Sequence, residues 1–218
     1  QRTFFTYSGA SAEFGMDDIN FSALNADIIH LGYFLLLERV DGGDGIKILE
    51  KAQKAGIKTS IDLVSENSNR YKTVIPCLKY TDYLIINELE GGRLTNIEPS
   101  MENISLIAER LLKSGVNEKV IIHFADGSVC MSKDGKLTSL GSYELPDNYI
   151  KGTTGAGDAF CAGALIGIYN KLSDREILEY ATACAAMALG AQDATSGLTD
   201  IKTAFEKTKA LKRKKLCL

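Results

Sequence analysis

The 218-residue sequence predicts an α/β fold, doubly wound, with a mainly parallel sheet flanked by helices. Three observations carry that expectation. Aliphatic runs bounded by Asp, Gly or Asn alternate with helical patterns through the first part of the chain, which is the strand-helix-strand order of βαβ units. Between residues 101 and 112 the apolar positions recur at helical spacing, as they do in a helix lying on a sheet. From Gly157 onward two Ala-rich stretches are apolar nearly all round, the pattern of buried helices.

Taken in order, residues 28–31, 57–63, 83–86 and 120–124 read as strands. The clearest helix follows Ser100, read as its N-cap after Pro99. It aligns Met101, Ile104, Ile107, Leu111 and Leu112 on one face before Gly115 ends it. Residues 127–143 break the rhythm. Two short strand-like stretches there flank Lys133-Asp134-Gly135-Lys136, a hairpin expected to decorate one edge. Helices are expected over residues 158–170, 174–191 and 200–212. The opening run Arg2-Thr3-Phe4-Phe5-Thr6-Tyr7 is strand-like, and residues 1–218 read as one domain.

Composition narrows the function. A net charge of -3 lacks the concentrated basic face that nucleic-acid binding needs, and the basic run over residues 207–215 reads as a solvated helix end. Five cysteines show no CxxC spacing, so neither a zinc site nor a disulfide framework is indicated, and the expected setting is the reducing cytoplasm. No apolar run approaches the roughly 18 residues of a membrane span, and no secretory leader pattern is visible. The expected partners are small molecules, with neither nucleic acid nor membrane among them.

The segment richest in chemistry is Lys151-Gly152-Thr153-Thr154-Gly155-Ala156-Gly157-Asp158-Ala159-Phe160, where a small-residue loop opens into a buried helix. The first turn of a helix has unpaired N–H donors and the positive end of the dipole, so such a loop suits an anion. A phosphate-binding P-loop would continue with Lys and then Ser or Thr; here Asp158 and Ala159 stand instead. A carboxylate beside a phosphate has one apt task, accepting the proton of an attacking hydroxyl. The bland alternative is a glycine turn capped by Asp158.

Read over residues 152–163, Gly-Thr-Thr-Gly-Ala-Gly-Asp-Ala-Phe-Cys-Ala-Gly resembles the C-terminal signature D-T-x-G-A-G-D-x-F-x-x-G of the ribokinase-like (PfkB) family. A second match lies upstream, where residues 82–90 resemble the family's strand leading into N-x-x-E, here Asn87 and Glu90. The resemblance implies a doubly wound α/β core with a small β lid, of which residues 1–10 are a remnant. It implies transfer of the γ-phosphate of ATP, with Mg2+, to a hydroxyl of a sugar or nucleoside. By position, Asp158 is the base and faces the acceptor, while Gly155, Ala156 and Gly157 form the anion hole. Thr153 and Thr154 lie on the nucleotide side, and Asn87 with Glu90 organise magnesium through water. Adenine is held between His123, Ala125 and Gly127 on one side and Ala191 to Gly197 on the other. Relatives often dimerise through lid strands, so a homodimer is within the family pattern.

Three departures qualify what is inherited. Gly152 replaces an Asp linked to a monovalent-cation site in many members, which weighs against potassium activation. His123-Phe124-Ala125-Asp126-Gly127 replaces the usual Thr-x-Gly. Family members also begin with roughly a further third of the fold, carrying the Gly-Gly sugar-binding region, which has no counterpart here; truncation is the expected reason. Asp62, with Glu66 close by, stands at a strand end where it either faces substrate or caps a loop. His30 and His123 read as strand histidines, and Cys161 as a small core residue. The alternative to a kinase is a nucleotide-binding or interaction module without turnover. A dinucleotide-dependent oxidoreductase is disfavoured, because its glycine fingerprint opens the first helix of a βαβ unit.

Overall fold

The computed structural model describes residues 7–66 and 69–216. Its order is β1 (Ile28–Phe34), α1 (Gly45–Lys54), β2 (Lys58–Leu63), two 3-10 stretches (Arg70–Thr73 and Ile75–Tyr80), then β3 (Tyr83–Asn87). There follow α2 (Glu88–Thr95), α3 (Ile104–Lys113), β4 (Lys119–Phe124), β5 (Gly127–Ser132), β6 (Leu137–Gly141), α4 (Ala156–Tyr169), α5 (Asp174–Leu189) and α6 (Ile201–Thr208). The strands make one six-stranded sheet in the order β1-β2-β3-β4-β5-β6. The pairings β1–β2, β2–β3 and β3–β4 are parallel, and β4–β5 and β5–β6 antiparallel.

Side chains alternate across the sheet, so each strand serves two cores. Leu84, Ile86, Val120 and Ile122 pack with α1 and α3 on one face. Ile85, Ile121 and Cys130 pack with Phe160, Ala164, Leu178 and Ala181 of α4 and α5 on the other. The helices of the first face show why they sit there. In α1 the buried residues are Gly45, Ile48, Leu49 and Ala52, and in α3 Ile104, Ile107, Ala108 and Leu111, both at i, i+3, i+4, i+7.

The four central strand expectations stand, with β1 running three residues further, to Phe34. Others change. The hairpin is no decoration: β5 and β6 extend the main sheet, and Val129, Cys130 and Met131 are buried, because helices cover both faces there. Ser100 is not the cap of α3; a turn intervenes and Asn103 takes the N-cap position. The last helix stops at Thr208. Beyond it Arg213 pairs with Tyr143 in an isolated bridge, its guanidinium 4.0 Å above the Tyr143 ring and donating to the Gly141 carbonyl, so the basic run is partly structural. Of the lid-strand expectation over residues 1–10, residues 1–6 lie outside the described residues, and Gly9–Ala12 is a 3-10 turn. Among the described residues no helix is long and apolar enough to cross a membrane.

Candidate active site

Because β1 to β4 are parallel, their C-terminal ends share one edge of the sheet, the usual ligand edge of an open α/β fold. That edge gathers Tyr33 from β1, Asp62 from β2, Asn87 from β3 and His123 from β4, the last two directly paired in register. Asp62, Asn87 and His123 were legible as strand-end residues. Tyr33 was not.

The glycine-rich loop meets this edge from the opposite face. Gly155 is the N-cap of α4 with φ +80°, a left-handed conformation natural to glycine, and no side chain caps the helix. A Cβ at Gly155 would also stand 2.6 Å from the Ala194 carbonyl oxygen, so the loop over residues 190–197 lies directly on it. The Lys151 N–H donates to the Leu189 carbonyl, which ties the same loop to the end of α5. Ala191 closes the end of α5 through its N–H to Ala188 and its carbonyl lies close to Gly152, while Gly197 packs on the Met187 carbonyl. Thr153 and Thr154 are exposed just ahead of it.

Asp158, in the first turn of α4, is exposed, and Oδ1 accepts a hydrogen bond of 2.7 Å from the Tyr33 hydroxyl. That bond, then burial, raises the Tyr33 phenol to about 12. Tyr33 reaches Asp158 from an unusual backbone. It has φ +58°, Leu35 has φ +80°, and the β1–β2 register slips between Leu31 and Phe34. Non-glycine residues rarely adopt this region, and such strain costs of order 1–3 kcal/mol per residue. The turn is held by Asp62, whose Oδ1 accepts from the Tyr33 N–H at 2.6 Å, and by Asp41, whose Oδ1 accepts from the Leu35 N–H at 2.8 Å.

His123 lies under the loop. Its ring is 4.8 Å from that of Phe160, and a Cβ on Gly157 would stand 3.6 Å from it. Burial pushes its pKa down to about 4, so the ring is neutral near pH 7 and acts as packing beneath the helix mouth. Ala125 and Asp126 turn the chain between β4 and β5, and Lys214 Nζ donates to the Ala125 carbonyl and to Asp126; a Cβ on Gly127, the first residue of β5, would stand 2.6 Å from the Leu216 side chain.

Asn87 and Glu90 form a reciprocal capping box at the start of α2. Asn87 Oδ1 accepts from the Glu90 N–H at 2.9 Å, and Glu90 Oε2 from the Asn87 N–H at 3.0 Å. Ser65 links them, donating to Glu90 Oε1 and accepting from Asn87 Nδ2, each at 2.8 Å. Glu90 is 4% exposed, not the surface acid that an ordinary cap carries. Burial raises its pKa to about 7, against the two hydrogen bonds it accepts and with help from the Asp62 charge. Magnesium fits here only at one remove. Each carboxylate oxygen already accepts one protein donor but retains a lone pair, enough to receive metal-bound water and not the open face of a direct ligand.

An open α/β sheet whose parallel strand ends meet a helix mouth without a side-chain cap, and where a carboxylate accepts a hydroxyl, belongs to the doubly wound α/β class. Within that class the chain belongs to the pfkB family of carbohydrate kinases, whose model matches residues 1–201. It is 26% identical to the ribokinase of Arabidopsis thaliana over 178 residues, covering 80% of this chain and 45% of that protein. It is 30% identical to the 1-phosphofructokinase of Haemophilus influenzae over 158 residues, covering 70% of this chain and 46% of that protein. The structure of Arabidopsis ribokinase complexed with ribose and ATP aligns with TM-score 0.68 and 26% identity, over 83% of this chain and 55% of that one. The chain thus spans about half the length of the curated relatives it matches.

Proposed function

We propose that this chain carries the nucleotide-binding part and the base of an ATP-dependent kinase that phosphorylates a hydroxyl of a sugar or nucleoside. The observation that carries the reading is the 2.7 Å hydrogen bond by which Asp158 accepts an O–H at the mouth of α4. General-base catalysis needs a heavy-atom approach of roughly 2.6–3.2 Å. In the proposed reaction the acceptor hydroxyl displaces the Tyr33 phenol and passes its proton to Asp158. Its oxygen attacks the γ-phosphorus, the bond to the bridging β–γ oxygen breaks, and ADP leaves. The N–H groups of Gly155, Ala156 and Gly157 receive the charge that develops on the phosphoryl oxygens. Magnesium, when bound with ATP, neutralises phosphate charge. Asn87 and Glu90 would hold it through water, and Asp62 keeps Tyr33 and the acceptor side in place.

The related structure with ribose and ATP bound supports ATP as donor. Matches to ribokinase, to the adenosine kinase of Schizosaccharomyces pombe and to 1-phosphofructokinase support a sugar or nucleoside acceptor without choosing between them. The test is consumption of ATP by the purified protein against a panel of sugars and nucleosides. Asp158→Asn is expected to lose about 10²- to 10⁴-fold in kcat while its thermal unfolding is unchanged. Turnover that survives the substitution removes Asp158 as the base. A second reading, a nucleotide-binding module without turnover, is favoured by Gly152 in place of the signature Asp; ATP binding with no acceptor-dependent ADP release would select it.

A further inference from the structure

We propose that His30, Asp62 and Cys161 form a site for a zinc-type transition-metal cation, separate from the magnesium that accompanies ATP. These residues come from β1, β2 and α4, and their donor atoms all lie within 4.8 Å of one another. His30 Nε2 stands 3.5 Å from Asp62 Oδ2 and 3.8 Å from Cys161 Sγ. Zinc bonds of about 2.0–2.1 Å to nitrogen, 2.0–2.2 Å to oxygen and 2.3 Å to sulfur, set at tetrahedral angles, put such donors about 3.3–3.6 Å apart. The two His30 separations therefore need adjustments of only a few tenths of an ångström, and the Asp62–Cys161 separation, within 4.8 Å, a closure of about 1.2 Å at most.

The surroundings are those of a ligand set. His30 Nδ1 is 3.2 Å from the Ser60 hydroxyl, and that contact turns Nε2 toward the other two donors, as an outer partner does for a metal-bound histidine. Gly32 lies against the same pair: a Cβ there would stand 3.2 Å from Nε2 and 3.5 Å from Asp62 Oδ1, so glycine leaves that flank uncovered. The His30 side chain is 29% exposed and Asp62 16%, which gives an ion a way in, while Cys161 is 4% exposed and cannot be approached by bulky reagents. Charge also closes. Neutral imidazole, one carboxylate and one thiolate balance a dication. A thiol ligates a metal as the thiolate. Binding an ion therefore releases the thiol proton to solvent.

The site requires no phosphoryl transfer, so its test is binding. The full chain, reduced and stripped with chelator, is titrated with Co2+ as a spectroscopic probe. The expected result is saturation at about one ion per chain with release of about one proton. A sulfur-to-cobalt charge-transfer band and tetrahedral ligand-field bands appear together, and Zn2+ abolishes both. Cys161→Ala removes the charge-transfer band, and Ser60→Ala weakens binding by about ten- to hundredfold while leaving the band intact. His30→Ala, at a partly exposed position, loses at least as much affinity as Ser60→Ala and serves if Cys161→Ala does not fold. A spectrum without a sulfur band, a band that persists in folded Cys161→Ala, or affinity unchanged in His30→Ala overturns the proposal and leaves an adventitious ion only.

Discussion

Glu90 ties a buried carboxylate to pH in a direction opposite to most surface acids. Its folded pKa is raised from 4.5 to about 7, so the folded chain binds the proton more tightly than the unfolded one. Its contribution to stability is therefore greatest below the unfolded value and is lost as pH rises through the folded value, by roughly 3 kcal/mol at most. Glu90→Gln keeps acceptor capacity without the charge. Urea unfolding should show little difference from the parent at pH 4.5 and a gain for the variant at pH 8. An equal offset at both pH values would mean that Glu90 is not the titrating group. His123 works the other way, its pKa depressed to about 4, so its contribution is complete above 6.5 and is lost as pH falls toward 4. Tyr33→Phe removes the hydroxyl that occupies Asp158; under the kinase reading the acceptor KM should fall about threefold with kcat little changed, one modest hydrogen bond being displaced. A tenfold fall in kcat would make Tyr33 a participant. Asp158 could be read in the sequence because its setting is local, a loop running straight into a helix. Tyr33 could not, because its reach depends on a register slip between two strands. The meeting of His30, Asp62 and Cys161 is hidden for the same reason, their separation along the chain.

At the scale of elements, α4 and α5 owe their close approach to a glycine of the matched motif. A Cβ on Gly163 would stand 2.7 Å from the Tyr180 carbonyl oxygen and 2.8 Å from the Ala181 Cα, both backbone atoms. Gly163→Val should force the helices apart and cost about 1–3 kcal/mol in urea unfolding, more than the same change at exposed Gly42, where a Cβ would meet nothing within 4 Å. The capping box of α2 gives a second expectation. Asn87→Ala should cost about 1 kcal/mol and Asn87→Ser much less, since serine also caps. If Asn87→Ser restores stability without restoring magnesium-dependent ATP binding, the cap and the metal role are separable; if it restores both, Asn87 acts only as a cap. The strands, α3 and the buried pair α4 and α5 were visible through their periodicity. The β5–β6 hairpin was misjudged because length and turn chemistry do not say whether a hairpin lies beside a sheet or within it. The tail of α6 was overextended because Lys-rich, helix-favouring sequence continues past Thr208, where the chain leaves the helix and Leu211 and Arg213 pack back toward Tyr143.

Across the whole molecule, stability should be graded from the centre of the sheet outward. β3 and β4 are flanked by strands and covered by helices on both faces, with Leu84, Ile85, Val120 and Ile121 at most 1% exposed. Amide exchange should be slowest there and faster in β1, at the edge of the sheet, where the strand alternates buried and open positions. Uniform protection across all six strands would contradict that gradient. The C-terminal edge was foreseeable as the candidate site once parallel strands were inferred, since strand direction alone places that edge. The left-handed residues at the end of β1 carry a practical warning. A programme that raises melting temperature by relieving backbone strain would rank Tyr33 and Leu35 among its first targets and replace them with glycine. At Tyr33 such a change would also free Asp158 of the phenol resting on it, so heat resistance and acceptor affinity would shift together and neither could be credited to strain relief alone.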